Sequence, residues 1–324
     1  MKMNRLLASI ASASALCASL VQAQTYPAKP VHMIIPFAPG GASDFVGRII
    51  SPKLSESLGQ QIVIDNRAGA SGNIGVEAAG KASADGYTIF LGNVGTIAIN
   101  PTVLPIAINP TRDFIAVTLV SDVPSILVAH TSVPASTVGE FVAFARSKPG
   151  ALNFGSPGSS TVNRLEMEQF MKTTGIRMVH VPYKGGAGPA VTGLLGGETH
   201  VMFITLVSAG NFVKAARLKA YAVTTRSRFE GLPDVPTMIE AGYPDMVSSS
   251  WQGMFVPAGT PRPVVMRLHG DILRTLDTQD VKQRFAAGGA QVAKSQSPEE
   301  FAAFVVTEAE RWGKLAKESG ATID

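Results

Sequence analysis

Short apolar runs alternate with amphipathic stretches along this chain, and that rhythm restricts its fold more than any other feature. In the first part the order is VHMIIPF (31–37), helix-like 43–58, QIVID (61–65), helix-like 73–82 and YTIFLG (87–92). A βαβαβ order predicts a parallel sheet with helices on its faces, that is, an α/β fold. Pro52 lies inside the first predicted helix, where a proline removes a hydrogen bond or kinks the axis.

A second set of alternating elements follows a proline-rich connection. The segment AVTLVSDVPSILVAH (116–130) is long enough for two strands, or for one strand that leaves the first sheet and enters another. Beyond it the order is LNFGS (152–156), helix-like 160–173, MVHVPY (178–183), helix-like 188–196, HVMFI (200–204) and LKAYAVT (218–224). The repeated rhythm predicts a second α/β unit. A last section, from about Trp251, contains three helix-like stretches.

The final helix-like stretch has a clear start and a clear apolar face. Ser297-Pro298-Glu299-Glu300 combines an N-cap residue, a proline at the first helical position and a capping-box glutamate. One helical stripe then carries Phe301, Phe304, Val305, Trp312 and Leu315. A stripe of this kind predicts a surface that packs into a core rather than a binding surface.

The first 23 residues are predicted to be a signal peptide. Lys2 and Arg5 precede an apolar stretch of small residues, and Val21-Gln22-Ala23 is a small-x-Ala cleavage site, so we expect an exported, periplasmic protein that starts at Gln24. The single cysteine, Cys17, lies within this peptide, and Leu16 before it disfavours a lipoprotein cleavage site. The mature chain therefore has neither a disulfide nor a thiol nucleophile.

The mature chain is long and nearly neutral. Its 301 residues exceed what a single core usually serves, which favours two domains. Removal of Lys2 and Arg5 leaves 26 basic against 24 acidic side chains, and the basic residues are not clustered. Nucleic acid is therefore not an expected partner.

Sequence patterns typical of several enzyme classes are missing. The glycine-rich loops GASDF (41–45), GASGN (69–73) and GSPGS (155–159) each break the Gly-x-Ser-x-Gly pattern of serine hydrolases. The five histidines show no metal-binding spacing. The stretch GASGNIG (69–75) departs from the dinucleotide-binding spacing and is better interpreted as a structural turn. We therefore expect neither a metal nor a cofactor.

Loops rich in glycine and small residues follow several predicted strands, at 38–44, 92–96, 155–161 and 184–188. If two α/β units face each other, these loops line the cleft between them. They supply backbone N–H groups and the hydroxyls of Ser43, Thr96, Ser156, Ser159, Ser160 and Thr161. Few fixed charges and no obvious general base accompany these groups. This set of backbone N–H groups and hydroxyls is suited to binding a small carboxylate through oriented dipoles.

Seven segments, in order, resemble the extracytoplasmic solute receptors of tripartite tricarboxylate transporters, the Bug family. They are YPAKPVHMIIPFAPGGASDFVGR (26–48), VIDNRAGASGNIGVEAAGKASADGYTIFLG (63–92), NFGSPGSSTVNRLEMEQF (153–170), VPYKGGAGPAVTGLLGGETHVMF (181–203), LKAYAVTT (218–225), LPDVPTMIEAGYPD (232–245) and WQGMFVPAGTP (251–261). The resemblance implies a type II periplasmic binding protein fold, in which two α/β domains are joined by hinge strands around a central ligand cleft. It places domain 1 at 24–124 plus 247–324 and domain 2 at 125–246.

The resemblance also implies a binding site. The family's PF-x-PGG-x-x-D loop, where backbone amides and ordered water hold the ligand, maps onto 36–44, and the facing loops map onto 156–161 and 183–186. The predicted ligand-binding residues are Phe37, Ala38, Pro39, Gly40, Gly41, Ala42, Ser43, Asp44, Gly95, Thr96, Ser156, Ser159, Ser160, Thr161, Asn163, Tyr183, Lys184, Gly185 and Thr205. Three positions depart from the family pattern: Asn163 stands where many members carry His, Ala68 replaces a common Pro, and Ile204-Thr205 occupies a place where Asp is frequent.

The sequence therefore predicts a receptor rather than an enzyme. We expect a monomer that binds a small organic acid, closes by a hinge and presents its ligand to the membrane subunits of a transporter. A receptor that reports to a membrane sensor is an alternative, as is an exported enzyme with Asp44 or Lys184 as its acid or base. Against the enzyme, Asp44 is expected to be a helix N-terminal carboxylate that its own first turn satisfies. The identity of the acid stays open.

Overall fold

The computed structural model describes residues 26–318 of the chain. The predicted signal peptide and its cleavage site lie outside these residues. Within residues 26–318, no helix is both long enough and apolar enough to span a membrane.

The first α/β unit begins with the predicted alternation of strands and helices. Its elements are β1 (Val31–Ile35), α1 (Ala42–Leu58), β2 (Ile62–Asn66), α2 (Asn73–Gly80), β3 (Thr88–Asn93), a π-helical turn (Gly95–Ile99), α3 (Asn100–Val103) and α4 (Pro110–Asp113). β1 pairs in parallel with both β2 and β3, which confirms the predicted parallel sheet. Helix α1 continues through Pro52.

The second unit and the return to the first follow in order. They comprise β4 (Phe114–Ala129), α5 (Val138–Ser147), β5 (Asn153–Ser156), α6 (Val162–Thr174), β6 (Val179–Pro182), α7 (Ala187–Leu195), β7 (Val201–Thr205), α8 (Leu206–Lys214), β8 (Lys219–Val223), β9 (Ser249–Pro257), α9 (Arg262–Asp277), α10 (Gln279–Gly288), β10 (Gln291–Val292) and α11 (Pro298–Glu318). The three helices predicted after Trp251 are all present.

Strand β4 joins the two units. From Phe114 to Pro124 it pairs antiparallel with β9, and from Ser125 to Ala129 it pairs with β7 on one side and β8 on the other. Of the two alternatives that the sequence left open, one strand that changes sheets is therefore correct. β9 returns antiparallel to β4 and fits between β3 and β4, so that the C-terminal section completes the first sheet.

The predicted apolar stripe of α11 packs into the first unit. Phe301, Val305 and Trp312 are buried in one cluster with Trp251 of β9, while Phe304 and Leu315 are partly buried against it. The indole N–H groups of Trp251 and Trp312 both donate to Oε2 of Glu308, each over 2.8 Å. This shared acceptor lets two large aromatic side chains be buried without an unpaired N–H group.

We expect Trp312→Ala to lower the free energy of unfolding by about 3 kcal/mol, because it removes a large buried ring and leaves a cavity. Val306, on the same helix, is half-exposed, so Val306→Ala is the matched control and should cost less than about 0.5 kcal/mol. Urea unfolding of both variants measures the two changes. Equal losses would contradict the assignment of this stripe to the core.

Candidate functional site

A cavity lies between the two units, at the ends of several strands. Its lining is Phe37, Gly41, Ala42, Ser43, Asn93, Val94, Gly95, Pro157, Thr161, Val162, Asn163, Ala187, Thr205 and Ser250. Both units therefore contribute, together with one residue of β9. In open α/β sheets the carboxyl ends of strands are the usual place for a ligand.

Four helices begin at this cavity. The N-cap residues are Gly41 for α1, Thr161 for α6, Gly186 for α7 and Thr205 for α8, and none of these helices has a side-chain hydrogen bond at its cap. The first N–H groups of a helix have no partner within the helix, and they carry the positive end of its dipole. Unpartnered donors from both units thus surround one small space.

Helices α5 and α11 have side-chain caps, whereas α2, α9 and α10, like the four helices at the cavity, have none. Thr137 Oγ1 accepts from the N–H of Glu140 at the start of α5, and Ser297 Oγ accepts from the N–H of Glu300 in α11, each over 3.1 Å. The hydroxyls of Thr161 and Thr205 bond instead to the carbonyl of Gly158 and to Ser208 Oγ. These two threonines therefore leave the N–H groups of their own helices available.

The lining contains no Lys, Arg, His, Asp or Glu. Attraction for an anion must therefore come from the backbone N–H groups at the helix starts. Such groups bind carboxylates and phosphates without a salt bridge. This arrangement agrees with the dipole-lined cleft that the sequence predicts. The described residues also include no group of His, Cys, Asp and Glu side chains that could hold a metal ion.

The two units are in contact around the cavity. Ser160 Oγ donates to Asn100 Oδ1 over 2.6 Å, and Val162 of α6 is buried in the cluster that holds Trp251. A methyl group added at Gly41 would lie 3.8 Å from Cβ of Ala187. The cavity is partly open to solvent, and its volume is only about 50 Å³, roughly the share of one or two water molecules. This space is smaller than a dicarboxylic acid.

Asp44 lies beside the cavity but does not line it. Its carboxylate accepts hydrogen bonds from Gly40 N over 3.1 Å, Arg48 Nε over 2.9 Å and Asn66 Nδ2 over 3.1 Å. Burial alone would raise the pKa of this carboxyl. The hydrogen bonds from Arg48, Gly40 and Asn66 outweigh burial and keep the pKa below its usual value. The donors thus come from the preceding loop, the next turn and β2 rather than from the first turn alone. An ionised group with three donors is poorly suited to acid–base chemistry.

The predicted site residues fall into two groups. Those that line the cavity are Phe37, Gly41, Ala42, Ser43, Gly95, Thr161, Asn163 and Thr205. The predicted residues that are not part of the lining are Ala38, Pro39, Gly40, Asp44, Thr96, Ser156, Ser159, Ser160, Tyr183, Lys184 and Gly185. Several of the second group have other partners: Ser156 Oγ bonds to His180, and Tyr183 Oη donates to Glu198. Burial and this hydrogen bond to Glu198 raise the pKa of Tyr183 to about 12.

Six lining residues were not named from the sequence: Asn93, Val94, Pro157, Val162, Ala187 and Ser250. Asn93, Val94, Pro157 and Ala187 lie within the predicted cleft loops, and their positions in those loops were the available signal. Ser250 has no such signal, because it lies in β9 and reaches the cavity only through the pairing of β9 with β4.

A buried carboxylate connects the cavity with the crossing of β4. Glu166 of α6 is only 1% exposed, and it accepts from Asn163 Nδ2 over 3.1 Å and from Ser248 Oγ over 2.6 Å. Asn163 Nδ2 also donates to Ser125 Oγ, over 3.0 Å, where β4 enters the second sheet. Burial raises the pKa of Glu166 to about 7.

A larger groove, of about 1060 Å³, lies at the same crossing and shares no lining residue with the cavity. Its walls include Asp122 and Ser249 of the crossing strands, Arg226 and Arg228 of the second unit and Arg311 of α11. Both units thus border this groove as well as the cavity.

Comparison with known proteins places these features in a family. The model of the tripartite tricarboxylate transporter family receptor matches residues 46–321. The chain belongs to this receptor family. Members are periplasmic binding proteins rather than enzymes. Protein BugT of Bordetella pertussis is 36% identical over 100% of both chains. The protein of the tcbD-tcbE intergenic region of Pseudomonas sp. strain P51 is 37% identical over 97% of this chain and 94% of that protein.

Solved receptors of similar sequence share the fold. The periplasmic binding protein BugD superposes with a TM-score of 0.86 at 30% identity, over 92% of this chain and 100% of that chain. Rpa4515 of R. palustris with adipate superposes with a TM-score of 0.88 at 33% identity, also over 92% of this chain and 100% of that chain. MatC from Rhodopseudomonas palustris with bound malate superposes with a TM-score of 0.84 at 32% identity, over 90% of this chain and 99% of that chain. The predicted periplasmic binding protein fold, with two α/β domains around a cleft, is confirmed.

We expect Gly41→Val to weaken acid binding by the receptor at least tenfold, because its methyl groups would meet Ala187 where the two units close. The φ angle of Gly41 is −93°, which any residue adopts, so the fold should tolerate the change. Gly139→Val, in a position with open space around it, is the matched control. Isothermal titration of both variants with one bound acid measures the difference. Unchanged affinity in a folded Gly41→Val protein would contradict this role for the loop.

We expect the free energy of unfolding of the receptor to decrease as pH rises from about 4.5 to about 7, because of Glu166. The folded protein keeps this proton up to a pKa of about 7, whereas an exposed glutamate releases it near 4.5, so the free energy of unfolding decreases as pH rises through that window. The decrease is on the order of 3 kcal/mol, and Glu166→Gln should abolish it. Urea unfolding across this range, with Glu310→Gln at an exposed position of α11 as control, measures the effect. A pH-independent difference between wild type and Glu166→Gln would contradict it.

Proposed function

We propose that this chain captures a small organic acid by hinge closure and delivers it to the membrane subunits of a tripartite tricarboxylate-type transporter. One observation carries the proposal: four helices without side-chain caps begin at a cavity whose lining has no charged side chain. Backbone N–H groups without a partner in the helix favour an anion. Because the lining has no charged side chain, a carboxylate would be held there by these backbone dipoles rather than by a salt bridge. Adipate and malate, in the solved relatives Rpa4515 and MatC, are acids of this kind.

The hinge in this proposal is the crossing of β4 and β9. It divides the chain into 24–124 plus 247–324 as domain 1 and 125–246 as domain 2. The change of pairing partner between Pro124 and Ser125 supports the first boundary. Closure favours the bound state through contacts that only the closed form makes, and the hydrogen bond from Ser160 to Asn100 across the cleft is such a contact.

The proposal extends to the setting in which the receptor works. The protein is exported to the periplasm, its signal peptide is removed after Ala23, and it acts as a monomer that needs neither cofactor nor nucleic acid. The signal-peptide pattern of the first 23 residues supports export. Asp44 is fixed by three donors, and it therefore has a structural role.

A thermal-shift screen of the purified protein tests the ligand class. The panel contains mono-, di- and tricarboxylates, aromatic acids, acidic amino acids and uncharged sugars, after co-purified ligand has been removed by unfolding and refolding. We expect a saturable rise in Tm with one class of acids, because a ligand at one hundred times its Kd stabilises the native state by about 2.7 kcal/mol. The Gly41→Val variant is the comparison, and at the same ligand concentration a tenfold weaker affinity should remove about half of the shift. A shift with sugars alone, or with no acid, would overturn the carboxylate assignment.

A pull-down from membranes tests delivery. The purified receptor is incubated with solubilised membranes in the presence and absence of the acid that the screen identifies. Retention of transporter subunits that depends on the acid would support delivery. Retention of a sensor protein instead would show that the same closed form serves signalling.

A further inference from the structure

Two asparagines line the cavity, and one presents a hydrogen-bond donor to it while the other presents an acceptor. Asn93, at the end of β3, accepts the backbone N–H of Thr96 at its Oδ1 over 3.0 Å, which leaves its amide N–H₂ for the cavity. Asn163, in the first turn of α6, uses both hydrogens of Nδ2, one on Ser125 Oγ and one on Glu166 Oε2. Within the described residues the side-chain hydrogen bonds of Asn163 are both made by Nδ2, so Asn163 presents its Oδ1 to the cavity as an acceptor.

Glu166 fixes this polarity. The hydroxyl of Ser125 can donate or accept and is therefore compatible with either orientation of the Asn163 amide. Above about pH 7, where Glu166 has lost its proton, its carboxylate only accepts, and its other oxygen is already engaged by Ser248 Oγ over 2.6 Å. Turning the amide of Asn163 would place its carbonyl against a buried carboxylate. The side chain is thereby held with its carbonyl oxygen toward the cavity.

An acceptor in an otherwise donor-rich cavity discriminates between acids. The carbonyl oxygen of Asn163 repels a carboxylate oxygen and accepts from a hydroxyl or an amino group. An acid without such a donor occupies the space before this carbonyl and leaves it unpaired, which is costly. We propose that Asn163 selects organic acids that carry a hydroxyl or amino group besides the carboxylate, and that Glu166 is the residue that positions it. This inference rests on the proposed function.

Matched pairs of acids test the inference by isothermal titration at about pH 8, where Glu166 is ionised. The pairs are succinate with L- and D-malate, succinate with aspartate, glutarate with 2-hydroxyglutarate, and benzoate with hydroxybenzoates. We expect at least a tenfold lower Kd for the donor-bearing member of whichever pair binds. Equal Kd values within every pair that binds would overturn the inference and leave the proposed function standing. Failure of every acid to bind would overturn both.

Variants separate selection from folding. Asn163→Leu removes the carbonyl and should bring the ratio of Kd values within a pair close to one. Glu166→Gln can donate to Asn163 as well as accept from it, so the amide can turn, and the ratio should fall several-fold while the protein stays folded. Glu168→Gln makes the same chemical change on the same helix outside the cavity, and it should keep the wild-type ratio. A wild-type ratio in Glu166→Gln would overturn the positioning role.

Discussion

The antiparallel pair of β4 and β9 is the constraint on which the rest of this receptor depends. β4 is one continuous strand that belongs to both sheets, and β9 returns beside it. A helix that follows a strand in an α/β unit begins at the carboxyl edge of the sheet. Because the crossing turns the two carboxyl edges toward each other, α1, α6, α7 and α8 all begin at one place. The cavity is thus a consequence of topology, and its donors are backbone groups.

A site of this kind divides recognition into two tasks. Backbone N–H groups at the helix starts suit any carboxylate, because every residue type except proline supplies them. Side chains such as Asn93, Asn163 and Ser250 line the rest of the cavity, and the polarity of the two asparagines depends on their hydrogen-bond partners. Receptors of one fold can therefore keep the class of ligand while the preferred member changes. The different acids in the solved relatives, adipate and malate, agree with this division.

The sequence predicted the strands, the helices and the cleft loops well, because each depends on local signals such as β-branched runs, Gly-Gly turns and helix starts. It predicted less well which loop side chains face the cavity. Ser156 and Ser160 have the same local character as Ser43, but His180 and Asn100 engage their hydroxyls. Ser250 reaches the cavity through strand pairing, and the partners of Glu166 come from β4 and from the segment before β9. Contacts between distant parts of the chain decide these cases.

The absence of ionisable side chains from the cavity lining has a further consequence for the conditions in which the receptor operates. An arginine–carboxylate contact at an exposed site weakens as ionic strength rises. The partial charges of helix starts belong to the covalent backbone, and no proton can neutralise them. When the cleft is closed they are also shielded from dissolved ions. The positive charge that the lining offers to an anion is therefore set by the fold rather than by a protonation equilibrium of a lining side chain, and pH acts on the site through Glu166 behind Asn163.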